Sequence, residues 1–284
     1  MKRKGGESFQ NTKFTTGVRT GLLELKAAAE TGVRIYFRYP AWLIADIITT
    51  PAWLVLLVLP ILLFLPREQW TNQETLTMLF WGWIFWDIVS AGLWNFGNAV
   101  RREQQTGTLE FLLLTNTNRA ILFSRDIFSR FISITLSLAY VYFFFTTIFG
   151  VQALILNPFG VAASLLVGLF VSMGFGLVYG ALVLRFKNVG PLNNILQFIL
   201  LGLGGAFFPV TSLPEYLRLV SYALPHTYAA DLLRHYGMGT ETLLPLPQEW
   251  AIMLAYTFTL LVLGIKALET VEKKLKRSGQ LGTY

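Results

Sequence analysis

Apolar residues gather into six long stretches, at 41–65, 76–100, 127–151, 159–183, 192–210 and 250–268, separated by shorter polar or basic segments. A helix rises about 1.5 Å per residue and the hydrocarbon core of a bilayer is about 30 Å thick, so about 20 apolar residues cross it. The pattern predicts an all-α polytopic membrane protein with six transmembrane helices, the fifth and sixth being the shortest. Before them, Val18, Leu22, Leu25, Ala29, Val33 and Tyr36 recur at spacings of three and four, which predicts an amphipathic helix. Glu30 and Arg34 are placed for an i,i+4 pair on another face, and Pro40 is expected to end the helix. The expected organisation is a mobile cytoplasmic tail at 1–16, an interfacial helix at 17–39, a transmembrane domain at 40–269 and a basic cytoplasmic tail at 270–284.

Two patterns sit inside the crossings. In the fourth, Gly160, Ser164, Gly168, Ser172, Gly176 and Gly180 recur every four residues. Such a stripe lets helix backbones approach closely in lipid, where packing drives association. The contact is expected either within one chain or between two. In the first and second crossings stand Asp46, Asp87, Asn95 and Asn98, polar groups that are costly in a membrane and belong on a bundle interior. Counted from the inner ends, Asp46 and Asn95 both lie about 8 Å deep and are placed to pair, whereas Asp87 lies about 20 Å deep. A structural hydrogen-bond network is the expected role. Trp70, Trp81, Trp83 and Trp250 gather near one membrane face, as an aromatic belt would.

Charge orients the chain. With the N-terminus inside, every Lys and Arg except Arg67, Arg218 and Arg234 falls on the cytoplasmic side. Both termini are therefore expected in the cytoplasm. The net charge of +7 is then topological, with anionic lipid headgroups as its partner and no nucleic acid. The chain has no cysteine and two histidines, which excludes disulfides, thiolate nucleophiles and Cys-based metal sites. The first residues lack the apolar core of a signal peptide, so the mature protein is expected to start near Met1.

Two segments carry more specific information. Between the second and third crossings runs Arg101-Arg102-Glu103-Gln104-Gln105-Thr106-Gly107-Thr108-Leu109-Glu110-Phe111-Leu112-Leu113-Leu114. Thr108, Leu109, Leu112 and Leu113 share a helical face, a natural docking element for a cytoplasmic partner. Gly204-Gly205-Ala206-Phe207-Phe208-Pro209 ends the fifth crossing, and Leu213-Pro214 and Leu224-Pro225-His226-Thr227-Tyr228-Ala229-Ala230-Asp231-Leu232-Leu233-Arg234 follow. Residues 211–249 are too polar to cross, yet hold apolar helical stretches. Asp231 and Arg234 suit capping or salt-bridge roles there.

The E-x-x-x-G-T-L-E-x-L-L pattern and the L-P-x-x-Y-x-x-D-x-L-R run together resemble the permeases of type-2 ATP-binding-cassette (ABC) exporters, especially the drug-exporter-like branch. The resemblance covers about residues 20–270. It implies a homodimer of six-helix subunits around a central path, with two separate ABC ATPase subunits beneath. A coupling helix at about 103–118 would seat in the ATPase through Arg101, Arg102, Glu103, Gly107, Thr108, Leu109, Glu110, Leu112 and Leu113. An outer re-entrant segment at about 205–249 would close the exit with Phe207, Phe208, Pro209, Pro225, Tyr228, Asp231 and Arg234. Gly168, Ser172, Gly176 and Gly180 would pack helices. Many members of that family carry a proline near Asn116, where this chain reads Thr115-Asn116-Thr117-Asn118. Asn and Thr still cap a following helix.

No Walker A loop is present, so ATP and Mg are expected on the partner ATPase and no cofactor, metal or catalytic group in this chain. The leading expectation is a cell-membrane exporter permease for a hydrophobic or amphipathic molecule, drug or lipid-like. The alternatives are a glycan or glycolipid exporter permease of the same architecture and a gradient-driven secondary transporter. The latter usually shows internal repeats, and none is evident. A membrane scaffold is a further alternative, as is an intramembrane enzyme built on His226, Tyr228 and Asp231, for which a structural role is the favoured reading.

Overall fold

The computed structural model describes residues 23, 26–27, 29–34, 37–38, 40–97, 101, 103, 106–107, 127–151, 155–186 and 190–278. Every regular element among them is helical: α1 (Pro40–Phe64), α2 (Gln73–Ser90), α3 (Ile127–Phe149), α4 (Pro158–Phe186), α5 (Gly190–Leu203), α6 (Glu215–Tyr222), α7 (Pro225–Met238) and α8 (Leu246–Ser278), with short 3-10 turns at Arg67–Gln69 and Val210–Ser212. Five of these, α1, α2, α3, α4 and α8, are long and apolar enough to cross a membrane. Local chemistry sets several boundaries. The side chain of Asn72 accepts from the N–H of Glu74 and Thr75 (2.9 and 3.2 Å), which starts α2. Pro40 opens α1, and Pro225 opens α7, positions where the missing N–H has no helical acceptor. Gly239, at φ 79°, ends α7 in the left-handed conformation that only glycine adopts cheaply, its N–H on the His235 carbonyl.

α2 and α4 form the centre of the bundle. Past Ser90, α2 widens into a π-helical turn over Ala91–Gly97, which presses Gly92 onto the Ser172 backbone and Gly97 onto the Tyr179 ring. On another face of α4, Gly174 lies against the backbone of Leu260 and Leu261, and Gly264 of α8 lies against Leu177. These contacts need glycine, since a Cβ at either position would meet heavy atoms within 3 Å. Aromatic edges fill the space between α2 and α3, with Phe80 edge-on to Trp81 (5.1 Å) and to Phe145 (5.7 Å).

The helix of the fifth predicted crossing is shorter than its apolar run. The run to residue 210 does not stay helical throughout; α5 stops at Leu203, about 21 Å long, and irregular backbone completes the segment. Gly205, at φ 72°, turns the chain. α6 and α7 then form a hairpin that re-enters the bundle. α7 runs along the first half of α4: Tyr236 covers Gly160, Ala229 covers Gly168 and His226 meets Ser172. Ser172 is 14 residues into α4, so the hairpin tip lies about 21 Å along that helix. Gln73 of α2 donates to the carbonyl of Gly150 just beyond α3, so this hairpin end is the one opposite Arg101.

The aromatic belt is corrected as well. Trp81 and Trp83 are core residues, 1% and 4% exposed; α7 covers Trp81, which fills the space left by Gly237, and Trp83 stacks on Trp86. Trp70 and Trp250 are partly buried and donate to Leu65 O and Tyr236 Oη. α8 continues beyond residue 268 through the basic run to Ser278. In the N-terminal segment the described residues are helical, and Glu30 pairs with Lys26 at 3.8 Å, an exposed contact of little energetic weight.

Candidate functional site

Three groups of side chains matter, and the first sits where α5 breaks. The Arg234 guanidinium donates to the carbonyls of Gly205 and Phe208 (3.2 Å to the latter) and pairs with Asp231 at 3.4 Å. Both charged side chains are nearly inaccessible, at 4% and 7%. Asp231 in turn accepts from the Leu243 N–H (2.8 Å), while Glu249 accepts from the Leu244 N–H (3.4 Å). Irregular backbone on both sides of the hairpin is thus held by charged groups from α7 and α8. Buried charges persist when paired and hydrogen-bonded, as here. Phe207 lies over Gly82, and Pro209 precedes the turn at Val210. Tyr228 donates to the Tyr222 carbonyl (2.7 Å) and stacks on Tyr256. The structure therefore brings Phe207, Phe208, Pro209, Asp231 and Arg234 to one clasp, and puts Pro225 and Tyr228 at the α6–α7 junction.

The second group seats the hairpin tip. His226 is 1% exposed, bonded to Ser172 Oγ at 3.0 Å and edge-on to Phe85 and Phe175. Burial pushes its pKa down to about 4, so the imidazole is neutral. It makes no cluster with Tyr228 and Asp231, whose partners are different, so the structural reading of His226 is the one the geometry favours. Gly168 and Ser172 face α7 and the α2 π turn, and Gly176 and Gly180 are buried. This stripe makes its contacts within the chain.

The third group lies between α2 and α3. Asp87 accepts from Ser137 Oγ (2.7 Å) and pairs with Arg130 at 3.4 Å. Sequence reasoning had counted Arg130 as a cytoplasmic charge; it lies near the start of α3 and its long side chain reaches Asp87. A further polar bridge, Trp94 to Gln197 (2.8 Å) and Gln197 to Ser90 (3.3 Å), joins α2 to α5 and was not singled out in the sequence. The Gln197 and Trp94 positions, both polar-tipped within apolar runs, were its available signal. Asn95 sits half-buried in the π turn. The Asp46 side chain and Asn98 lie outside the described residues.

In the loop after α2, Arg101 and Glu103 are helical and half-buried, and Gly107 is exposed in a turn at φ 69°. Thr106 Oγ1 donates to the Glu103 carbonyl at 3.2 Å. Arg102, Thr108, Leu109, Glu110, Leu112 and Leu113 lie outside the described residues.

A protein-family comparison matches residues 24–236 to the family described as ABC-2 type transporter. Among curated proteins, the chain is similar to the capsule polysaccharide export inner-membrane protein CtrC of Neisseria meningitidis serogroup B, 26% identical over 104 residues. The CtrC of serogroup A / serotype 4A is 27% identical over 111 residues. These matches span 38% and 41% of the relatives' length, and 37% and 39% of this chain.

Proposed function

The chain belongs to the ABC-2 type transporter family, and from that membership we propose that it is the multi-pass permease subunit of an inner-membrane exporter whose cargo is a glycan or glycolipid. The polysaccharide-export relatives favour the glycan cargo over the drug-like molecule expected first from the sequence. A hydrophobic or amphipathic cargo remains the second reading, supported by the drug-exporter-like pattern around Gly107 and Thr108.

In this reading two copies form the path, and two separate ABC ATPase subunits bind Mg-ATP and dock at the Arg101 end. Both termini lie on that cytoplasmic side, as the Lys and Arg distribution supports. The hairpin then stands at the outer end. The observation that carries the reading is the clasp: a non-spanning hairpin, anchored through Arg234 to the carbonyls of Gly205 and Phe208, is an element able to close an exit and move as one body. Non-helical backbone at membrane depth is tolerated where protein buries it or a watery path runs beside it.

The test is recovery of the complex from its native membrane, followed by export in vesicles. A stoichiometric ATPase and ATP-dependent glycan uptake into inverted vesicles are expected. Leu109→Asp or Leu112→Asp should abolish ATPase recovery while leaving membrane insertion intact. A homo-oligomer without an ATPase after gentle extraction would sink the proposal.

A further inference from the structure

Beside the clasp lies a cavity of about 270 Å³ whose lining is unlike the rest of this apolar chain. Asp231 and Arg234 form part of its wall, Tyr222 contributes an aromatic ring, and Thr240 and Glu241 come from the loop after α7. At about 30 Å³ per water, the space equals about nine waters, the room a single pyranose ring occupies.

We propose that this cavity is a binding site for one neutral, hydroxyl-rich sugar ring, passing the outer end of the permease. Four observations converge on that chemistry. First, the Thr240 hydroxyl is buried without a hydrogen-bond partner among the described residues. An unsatisfied buried hydroxyl is costly, and a turn of the side chain toward the cavity that it lines would let a ligand hydroxyl satisfy it. Second, the Asp231 carboxylate keeps acceptor capacity after its bonds to Arg234, Leu243 and Glu249, since two ionised oxygens offer about four lone-pair sites. Third, Tyr222 is 37% exposed and offers an apolar ring face beside these polar groups, the mixture small-molecule sites use to fix orientation. Fourth, the charges select against anions. Asp231 and Glu241 line the cavity; Arg234 in its wall is committed to Asp231 and to two carbonyls, and Arg218, behind Thr211, is committed to the carbonyls of Thr211 and Leu213. A carboxylated or phosphorylated sugar would meet two carboxylates and two guanidinium groups already engaged; a neutral one would not be opposed.

The inference rests on the exporter reading only for why a glycan would reach this end. The experiment uses the full chain in lipid nanodiscs, with saturation-transfer NMR against glucose, galactose and N-acetylglucosamine. Glucuronate and N-acetylneuraminate are the anionic comparisons. Neutral sugars should bind saturably at about millimolar strength, and Thr240→Val should weaken them about ten-fold. The same variant should keep or raise the melting temperature, because it removes a hydroxyl the empty protein leaves unpartnered. Should Thr240→Val fail to fold, Met78→Trp fills the cavity from α2 while leaving Asp231 and Arg234 themselves unchanged, and should abolish binding. The proposal is overturned if no neutral sugar binds, if the folded variants bind as well as the parent, or if the anionic sugars bind as tightly. Loss of sugar binding with ATP-driven export intact removes this site alone. Sugar binding without any ATPase-coupled export removes the permease reading and leaves the site.

Discussion

Arg234 reaches back 29 residues to the Gly205 carbonyl and three residues to Asp231, so a single side chain ties the break in α5 to α7. Its removal leaves carbonyls without a donor and carboxylates without a cation. Arg234→Gln is expected to destabilise the detergent-solubilised protein by about 3–5 kcal/mol, the range for breaking one side of a buried pair. Asp231→Asn should cost less, since the amide oxygen still accepts from the Leu243 N–H and the guanidinium keeps the carbonyls of Gly205 and Phe208. Equal losses in melting temperature would contradict that ordering. Two glycines give a cleaner contrast. A Cβ at Gly237 would lie 2.1 Å from the Trp81 ring, whereas one at Gly202 meets nothing within 4 Å. Gly237→Ala should therefore lose about 1–3 kcal/mol to overpacking, and Gly202→Ala should be neutral or slightly stabilising. Thermal melts of the two variants decide it.

At the scale of helices, the seating of α7 depends on a neutral His226 between Phe85, Phe175 and Ser172. Its pKa is lowered in the fold, from 6.5 to about 4. The unfolded chain therefore binds a proton at a pH where the folded chain does not. Stability from this group is present above pH 6.5 and is lost as the pH falls toward 4. Melting temperatures of the parent should drop across that window by more than those of His226→Gln, whose side chain does not titrate. Parallel curves would show that the imidazole is not held neutral. How the hairpin would seat was only partly legible in the sequence. The apolar runs fixed α1 to α4 and α8, because length and hydropathy alone decide whether a helix spans. The break after α5 was legible in Gly204 to Pro209, which can bend or end a helix, but glycine is common within membrane helices, so the stop at Leu203 itself was not. Trp81 read as a lipid anchor because nothing local shows that α7 returns to cover it. The four-residue stripe gave the correct face of α4, but its partners, α7 and the π turn, are distant in sequence. Gly174, off that stripe, carries the α8 contact. Arg130 was misplaced because a long side chain reaches deeper than its backbone position suggests. In the clasp, Asp231 and Arg234 were legible as an i,i+3 pair; the carbonyls they hold were not.

Across the whole molecule, α2 and α4 are enclosed while α1, α3 and α8 present wide apolar faces, as the outer helices of a membrane bundle do. The α5–α6 side differs from these. There the column is completed by a break and a re-entrant hairpin, and backbone groups without regular helical partners cannot face hydrocarbon. Ile195 and Phe198 on α5, with Tyr216 and Leu219 on α6, are exposed on the two helices that flank that break. Lipid is a poor cover for it and protein a good one, so this is the side expected to meet a second copy across the path. α8 has no such need: its backbone is continuously helical and its exposed Leu254, Phe258 and Leu263 are well served by acyl chains. The chain has no cysteine, which makes single-cysteine reporters unambiguous. Phe198→Cys and Leu219→Cys should form disulfide-linked dimers in native membranes under mild oxidation, and Phe258→Cys should not. The reverse pattern would put the second copy on α8 and leave the hairpin side to a different partner. Cross-linking at all three positions in proportion to expression would indicate collision in the membrane, and would argue against a defined dimer on this face.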